Sequence, residues 1–321
     1  MNILFTSAGR RVSLIRGFRR ALASRNEAGR ILATDMEATA PTLYEVDRAF
    51  IVPRVADPAY VPRLLEICQR ESVDVLIPLI DPELPVLARA RDQFASGGTT
   101  VVISSPDSVA IGDDKLATVR FFEARGIPTA RTFVPNEALR DIHFPVIVKP
   151  RRGSSGQGVI KCSDQSELYF YLERQKDVII QEFLSGYEVT IDIFGDGTGR
   201  VISFVPRKRL KVRGGEVERA ITIDDTTFAD FVLKIANGFK PYGPINVQCF
   251  VGDSGPVFSE INPRFGGGYP LADAAGAQFP ELILDLVAGK TLECRLGKYQ
   301  RGLVMARYDD AVFMPEDKLI R

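Results

Sequence analysis

Two stretches of this sequence hold residues whose types and spacing could do chemistry. Lys149 to Lys161 reads KPRRGSSGQGVIK, with Gly153, Gly156 and Gly158 set among Ser154 and Ser155 between cations. Glycines let a backbone approach an anion closely, so that peptide N–H groups donate to phosphate oxygens. Lys149 adds a point charge at the end of VIVKP. A phosphate loop of the GxxxxGK[ST] type would open a helix, but Gly158 is followed by Val159 and the flanks read as strands. The segment is therefore a hairpin flap, which by itself suits a plain turn as well as an anion site.

The second stretch is Glu260-Ile261-Asn262-Pro263-Arg264. On a strand, Glu260 and Asn262 share one face and Ile261 takes the other. A five-residue hairpin loop, Gly252 to Pro256, sets Val251 opposite Val257 and Gln248 opposite Glu260. Three oxygen-bearing side chains then share one patch, whereas a four-residue loop turns Gln248 away. Hard oxygen donors suit Mg²⁺, which takes few protein ligands and completes its shell with substrate phosphates. A third site is the turn after the first strand, Ser7-Ala8-Gly9-Arg10-Arg11. It lacks GxGxxG, so a dinucleotide reading is weak. Arg10 and Arg11 at a helix start could hold a carboxylate or phosphate, or stand as solvated charges.

Composition removes several alternatives. Among 321 residues, Lys plus Arg equals Asp plus Glu at 41 each, which argues against general nucleic-acid binding. Cys68, Cys162, Cys249 and Cys294 form no CxxC, and His143 is the single histidine, so a zinc centre or a Ser-His-Asp triad is not expected. No apolar run reaches the roughly 20 residues of a membrane span, and MNILFTSAGRR lacks a signal-peptide layout. A reduced, cytoplasmic protein is expected.

Three parts must position these residues. Residues 1–105 alternate strand and helix, which predicts a parallel sheet flanked by helices, with Arg10, Arg11, Asp35 and Asp81 along its carboxyl edge. Residues 106–185 hold a helix closed by Gly126, the flap between its two strands, a helix capped by Asp164 or Ser166, and the strand VIIQEFL. Residues 186–321 are strand-rich early and helical later, so the whole is α/β and α+β.

In this order the motifs resemble the ATP-grasp superfamily, and more closely its single-module members similar to the carbamoyl-phosphate synthase large subunit. The resemblance rests on DDK with Lys115, VIVKP with Lys149, the flap, IIQEFLSGYEVTID, NVQCF and SEINPRFGGG. It implies an N-terminal Rossmann-like domain (1–105), a small lid (106–185) and a C-terminal antiparallel-sheet domain (186–321). It also implies ATP with Mg²⁺, Mn²⁺ being admissible. Lys115, Lys149 and the flap would touch the phosphates. Gln181, Glu182 and Phe183 would edge the adenine, Leu184 would line it, and Glu188 would take the ribose. Glu260, Asn262 and Gln248 would hold the metal, and Arg264 the transferring group.

One departure matters. VPRKRLKVRGGEVERA lacks the histidine-bearing pattern of the synthases and clusters Arg207, Lys208, Arg209, Lys211 and Arg213. Cations facing the metal site suit an organic carboxylate better than bicarbonate. The expected activity is an ADP-forming carboxylate–amine ligase acting on small molecules through an acyl phosphate, with Arg10, Arg11, Arg207, Arg209 and Arg264 on the substrate side and a homodimer left open. The alternatives are a synthase-like component phosphorylating bicarbonate or carbamate, and a non-catalytic nucleotide-binding module.

Overall fold

A computed structural model describes residues 1–26, 28–135, 142–153 and 156–320. The first lobe is a parallel sheet of five strands in the order β3-β2-β1-β4-β5. These are β1 (Ile3–Thr6), β2 (Ile31–Asp35), β3 (Arg48–Ile51), β4 (Val75–Pro78) and β5 (Thr100–Val101), alternating with α1 (Val12–Ser24), α2 (Tyr60–Glu71) and α3 (Leu84–Ser96). Every residue of β1, β2 and β4 is buried, as a sheet covered on both faces requires. The ends of β1, β2 and β4 bring Arg11, Asp35 and Asp81 to one edge.

After α4 (Pro106–Asp113) and α5 (Lys115–Glu123) comes a four-stranded sheet in the order β6-β9-β7-β8. It contains β6 (Thr132–Phe133), β7 (Val146–Pro150), β8 (Ile160–Cys162) and β9 (Val178–Glu182), with α6 (Gln165–Leu172) packed on β8. Asp164 caps α6, accepting from Ser166 N at 2.8 Å and Glu167 N at 3.0 Å. Val146, Val148, Cys162, Leu168, Val178 and Ile180 make its separate small core. Phe121, Phe122 and Ile127, which the sequence groups with this middle part, pack instead into the core of the next sheet.

That sheet has six strands in the order β14-β13-β10-β11-β12-β15. They are β10 (Tyr187–Asp196), β11 (Val201–Arg213), β12 (Glu216–Thr222), β13 (Tyr242–Gly252), β14 (Gly255–Asn262) and β15 (Val304–Ala306), accompanied by α7 (Ala229–Phe239), α8 (Tyr269–Ala274) and α9 (Phe279–Val287). Gly186 joins β9 to β10 at φ +110°, and a Cβ there would lie 2.3 Å from the Val251 carbonyl oxygen. Only glycine meets both demands.

The first lobe and the six-stranded sheet share one apolar core. Phe5 and Phe18 meet edge to face at 4.9 Å, Phe18 reaches Phe265 at 6.1 Å, and Phe265 meets Tyr269 edge to face at 4.7 Å. Truncating a buried phenylalanine such as Phe18 to alanine costs about 3–5 kcal/mol. Arg20 with Asp273 at 2.9 Å and Arg25 with Asp285 at 2.7 Å pin α1 to α8 and α9. This fusion fixes the carboxyl edge of the parallel sheet against the end of β14. Among the described residues, no helix is long and apolar enough to cross a membrane.

Candidate active site

The β13–β14 hairpin puts Gln248 opposite Glu260 and Asn246 opposite Asn262. The route differs from the expected one. Gly252 pairs with Gly255 and Val251 with Pro256, not Val257, so the loop is the shorter kind that should turn Gln248 away. A β-bulge between Gln248 and Cys249 takes up Ser259 as an extra residue and restores the parity. Ser259 Oγ donates to the Gln248 carbonyl at 3.3 Å.

Asn262 is buried and donates Nδ2–H to Asn246 Oδ1 at 3.3 Å, which turns its own Oδ1 outward, 3.5 Å from Arg264 Nη2. Glu260 Oε1 lies 3.9 Å from Lys115 Nζ, and Lys115 also donates to the Gly153 carbonyl at 2.7 Å. Asp114 caps α5 through Leu116 N at 2.9 Å and so aims Lys115 at the flap. Lys149, at the end of β7, feels the same pair of groups. Burial pushes its ammonium down to about 8; Glu260 opposes the shift and Lys115 adds to it. Two cations thus converge on one carboxylate.

The flap runs between β7 and β8 as an antiparallel hairpin, with Gly153, Gly156 and Gly158 all at positive φ. Ser154 and Ser155 lie outside the described residues. Of the expected adenine edge, Gln181 is buried and donates Nε2–H to Thr132 Oγ1 at 2.8 Å. Glu182 accepts from Arg131 N at 2.9 Å. Phe183 is exposed under Lys161 Nζ, 4.2 Å from its ring centre, and Leu184 is partly buried. Glu188 is taken by a short ion pair with Arg209, and burial raises its carboxyl pKa against that pull.

The expected substrate arginines separate into distinct surroundings. Arg207 is 1% exposed and forks onto Asp192, Nε to Oδ2 at 2.5 Å and Nη2 to Oδ1 at 3.1 Å. Its Nη1 is buried with no hydrogen-bond partner among the described residues. Arg10 is largely exposed, 3.7 Å from Glu216. Burial, reinforced by Arg264, lowers the Arg11 guanidinium to about 10 while Glu216 opposes the shift. Arg264 forks onto Asp81, and Arg11, Arg207, Arg209 and Arg264 line one cleft with Glu260 and Asn262. Its volume of about 100 Å³ exceeds the roughly 10–15 Å³ that one water needs. Lys208, Lys211 and Arg213 turn elsewhere, to the Tyr187 ring, Glu218 and Asp309.

The sequence reading did not pick out Asp192 or Glu216, because each lies on a strand whose neighbours only the sheet order supplies. Glu83 was also missed. Fully buried, it accepts from Leu79 N at 2.7 Å, Ile80 N at 3.1 Å, Ser7 Oγ at 2.9 Å and Tyr60 Oη at 2.6 Å. Those bonds fix the turn that carries Asp81.

The Gln248, Glu260 and Asn262 oxygens fit Mg²⁺ on donor chemistry. They are hard, carry one negative charge and face two lysines, so phosphate oxygens would complete the shell. Among the described residues no group of three or more His, Cys, Asp or Glu side chains could hold a metal without such help.

Known proteins resemble each part of this chain. The family model described as PylC-like, N-terminal domain, matches residues 3–102, and that described as D-ala D-ala ligase C-terminus matches 115–212. A third, ATP-grasp in the biosynthetic pathway with Ter operon, matches 174–310. A carbamoyl-phosphate synthase of Methanobrevibacter smithii is 27% identical over 171 residues, 51% of this chain and 45% of that protein. A D-alanine–D-alanine ligase of Corynebacterium diphtheriae is 26% identical over 251 residues, covering 67% and 69% of the two chains. The chain therefore spans about half the length of that synthase. Among solved structures, the biotin carboxylase domain of the Hydrogenobacter thermophilus 2-oxoglutarate carboxylase superposes with a TM-score of 0.76 at 16% identity, over 94% of this chain and 73% of that one. The N5-carboxyaminoimidazole synthetase of Staphylococcus aureus gives 0.71 at 17%, over 91% and 78%. Read along the chain, the matches and the shared three-sheet architecture establish that it belongs to the ATP-grasp superfamily.

Proposed function

We propose that the chain is an ATP- and Mg²⁺-dependent carboxylate–amine ligase that proceeds through an acyl phosphate and releases ADP and phosphate. One observation carries this reading. A singly anionic oxygen set, Glu260 with Asn262 and Gln248, meets Lys115 on one side and an arginine-lined cleft on the other. MgATP would supply the transferable phosphoryl group between those sides.

Phosphoryl transfer asks the protein for position and charge rather than covalent help. Lys115 and Lys149 would bind phosphate oxygens, while Glu260, Asn262 and Gln248 would hold the metal. Arg264, held by Asp81, would meet the charge that develops on the transferring group. Gly153, Gly156 and Gly158 would let the flap backbone close on the phosphates and exclude water from a reactive acyl group. Gln181, Glu182, Phe183 and Leu184 would border the base, with Glu188 at the ribose. Glu188 would have to exchange Arg209 for hydroxyl groups.

The test is ADP release from a panel of carboxylic acids and amines, with and without Mg²⁺. Metal-dependent ADP and phosphate in equal amounts, accompanied by amide, supports the reading. AMP as product, or no turnover with any acid and amine, contradicts it. Turnover confined to bicarbonate with ammonia would transfer the same residues to a carbamoyl-phosphate reaction, the activity named for the Methanobrevibacter relative.

A further inference from the structure

One cation of the arginine-lined cleft has no carboxylate partner among the described residues. Arg264 pairs with Asp81, Arg207 with Asp192, Arg209 with Glu188, and Arg10 and Arg307 with Glu216. Among the described residues, no ion pair or side-chain hydrogen bond engages the Arg11 guanidinium. The nearby Arg207 keeps its buried Nη1 without a partner. Leaving a buried donor unpaired is costly, and leaving a cation unpaired costs more. An anionic ligand that accepts from these groups would remove the cost.

The two guanidinium groups front the same wall. A Cβ on Gly267 would come within 3.1 Å of Arg11 Nη1, and one on Gly268 within 2.3 Å of Arg207 Nη1. Neither glycine has a positive φ, so the backbone does not demand them. A methyl group at either position would press on a guanidinium group. Lys115 and Arg264 contact the oxygen set at Glu260 and Asn262, whereas Arg11 and Arg207 lie against Gly267 and Gly268 with Glu216 beside them. An anion held by Arg11 and Arg207 thus sits in the same cleft beside, and not on, the Glu260 and Asn262 oxygens.

We propose that Arg11 and the free Nη1 of Arg207 hold a carboxylate that the reaction leaves intact, so that one substrate carries a carboxylate besides its reacting group. Glu216, within 3.5 Å of the same Gly267 position, selects a singly charged planar anion over a phosphate dianion. The carboxylate comes either from a dicarboxylic acyl donor or from an amino acid serving as the amine. The proposal rests on the ligase reading for its place in the reaction, but its binding test does not.

The experiment is calorimetry on the full chain, with the Mg²⁺ complex of a non-hydrolysable ATP analogue present. Succinate and glutarate are compared with their monoamides, and glycine, alanine and lysine with their primary amides. The carboxylate member of at least one pair should bind tenfold or more tightly than its amide. Arg11→Gln and, separately, Gly267→Ala should abolish that preference while leaving the analogue's affinity within twofold. Preference among the diacids assigns the subsite to the acyl donor, and preference among the amino acids assigns it to the amine. Equal binding of carboxylate and amide throughout, or a preference that survives both substitutions, overturns the proposal. If the analogue fails to bind while an Arg11-dependent preference persists, the ligase reading falls and the subsite stands.

Discussion

Arg264 and Asp81, 183 residues apart, meet as a bidentate pair with Nε to Oδ1 at 2.7 Å and Nη2 to Oδ2 at 2.5 Å. One comes from the end of β14 and the other from the turn after β4. The first lobe thus reaches into the candidate active site with a single carboxylate that sets the plane of a guanidinium. The core shared through Phe18 and Phe265 holds both ends still.

Asp81→Asn should therefore act on turnover rather than on nucleotide binding. It keeps an acceptor but loses the charge and one of two parallel bonds. We expect kcat to fall about 10–100-fold, in keeping with the loss of an aligned electrostatic donor, with nucleotide affinity within twofold. Steady-state kinetics and nucleotide titration of the variant check this. An equal loss in both would place Asp81 in a structural role only.

Glu260→Gln removes the one anionic oxygen of the metal set and leaves its shape. The fold should persist, with thermal unfolding close to the parent, while Mg²⁺-dependent turnover disappears. Unchanged turnover in that variant would end the metal assignment.

Lys149 predicts a pH dependence with a definite sign. Its folded pKa is lowered to about 8 from an ordinary value near 10.5, burial being the main cause. Between those values the unfolded chain binds more protons than the folded one. This group's contribution to stability therefore rises with pH across that window and is least favourable below 8. Nucleotide affinity should run the other way, falling above pH 8 as the ammonium loses its proton. Lys149→Met should flatten both profiles and raise the melting temperature of the nucleotide-free protein at pH 7. Melting curves and nucleotide titrations from pH 6.5 to 10 decide it. A lower melting temperature for the variant would contradict the burial argument.

The parallel sheet and the order of the flap, β10 and β14 were legible because periodicity and glycine placement are local signals. Side-chain partnership was not. Gln248 faces Glu260 as expected, yet through the Ser259 bulge and not through loop length, and bulges leave no mark in a pattern of alternation. Arg207, read as an open cation, spends two of its nitrogens on Asp192, because β10 lies between β13 and β11 and supplies an acid that only the sheet order reveals. Asp81 was legible as a polar strand end, but its partner required the packing of one lobe on another.

The most direct measurement of the central claim follows one oxygen atom. Once the panel has identified an acid, that acid is labelled with ¹⁸O in its reacting carboxylate and turned over with its amine, and the released phosphate is analysed. Attack of the carboxylate on the phosphoryl group, followed by capture by the amine, leaves one carboxylate oxygen on phosphate. The account predicts one ¹⁸O in phosphate per amide formed, with ADP as the other product. Unlabelled phosphate during productive ligation, or label recovered in AMP, would contradict it.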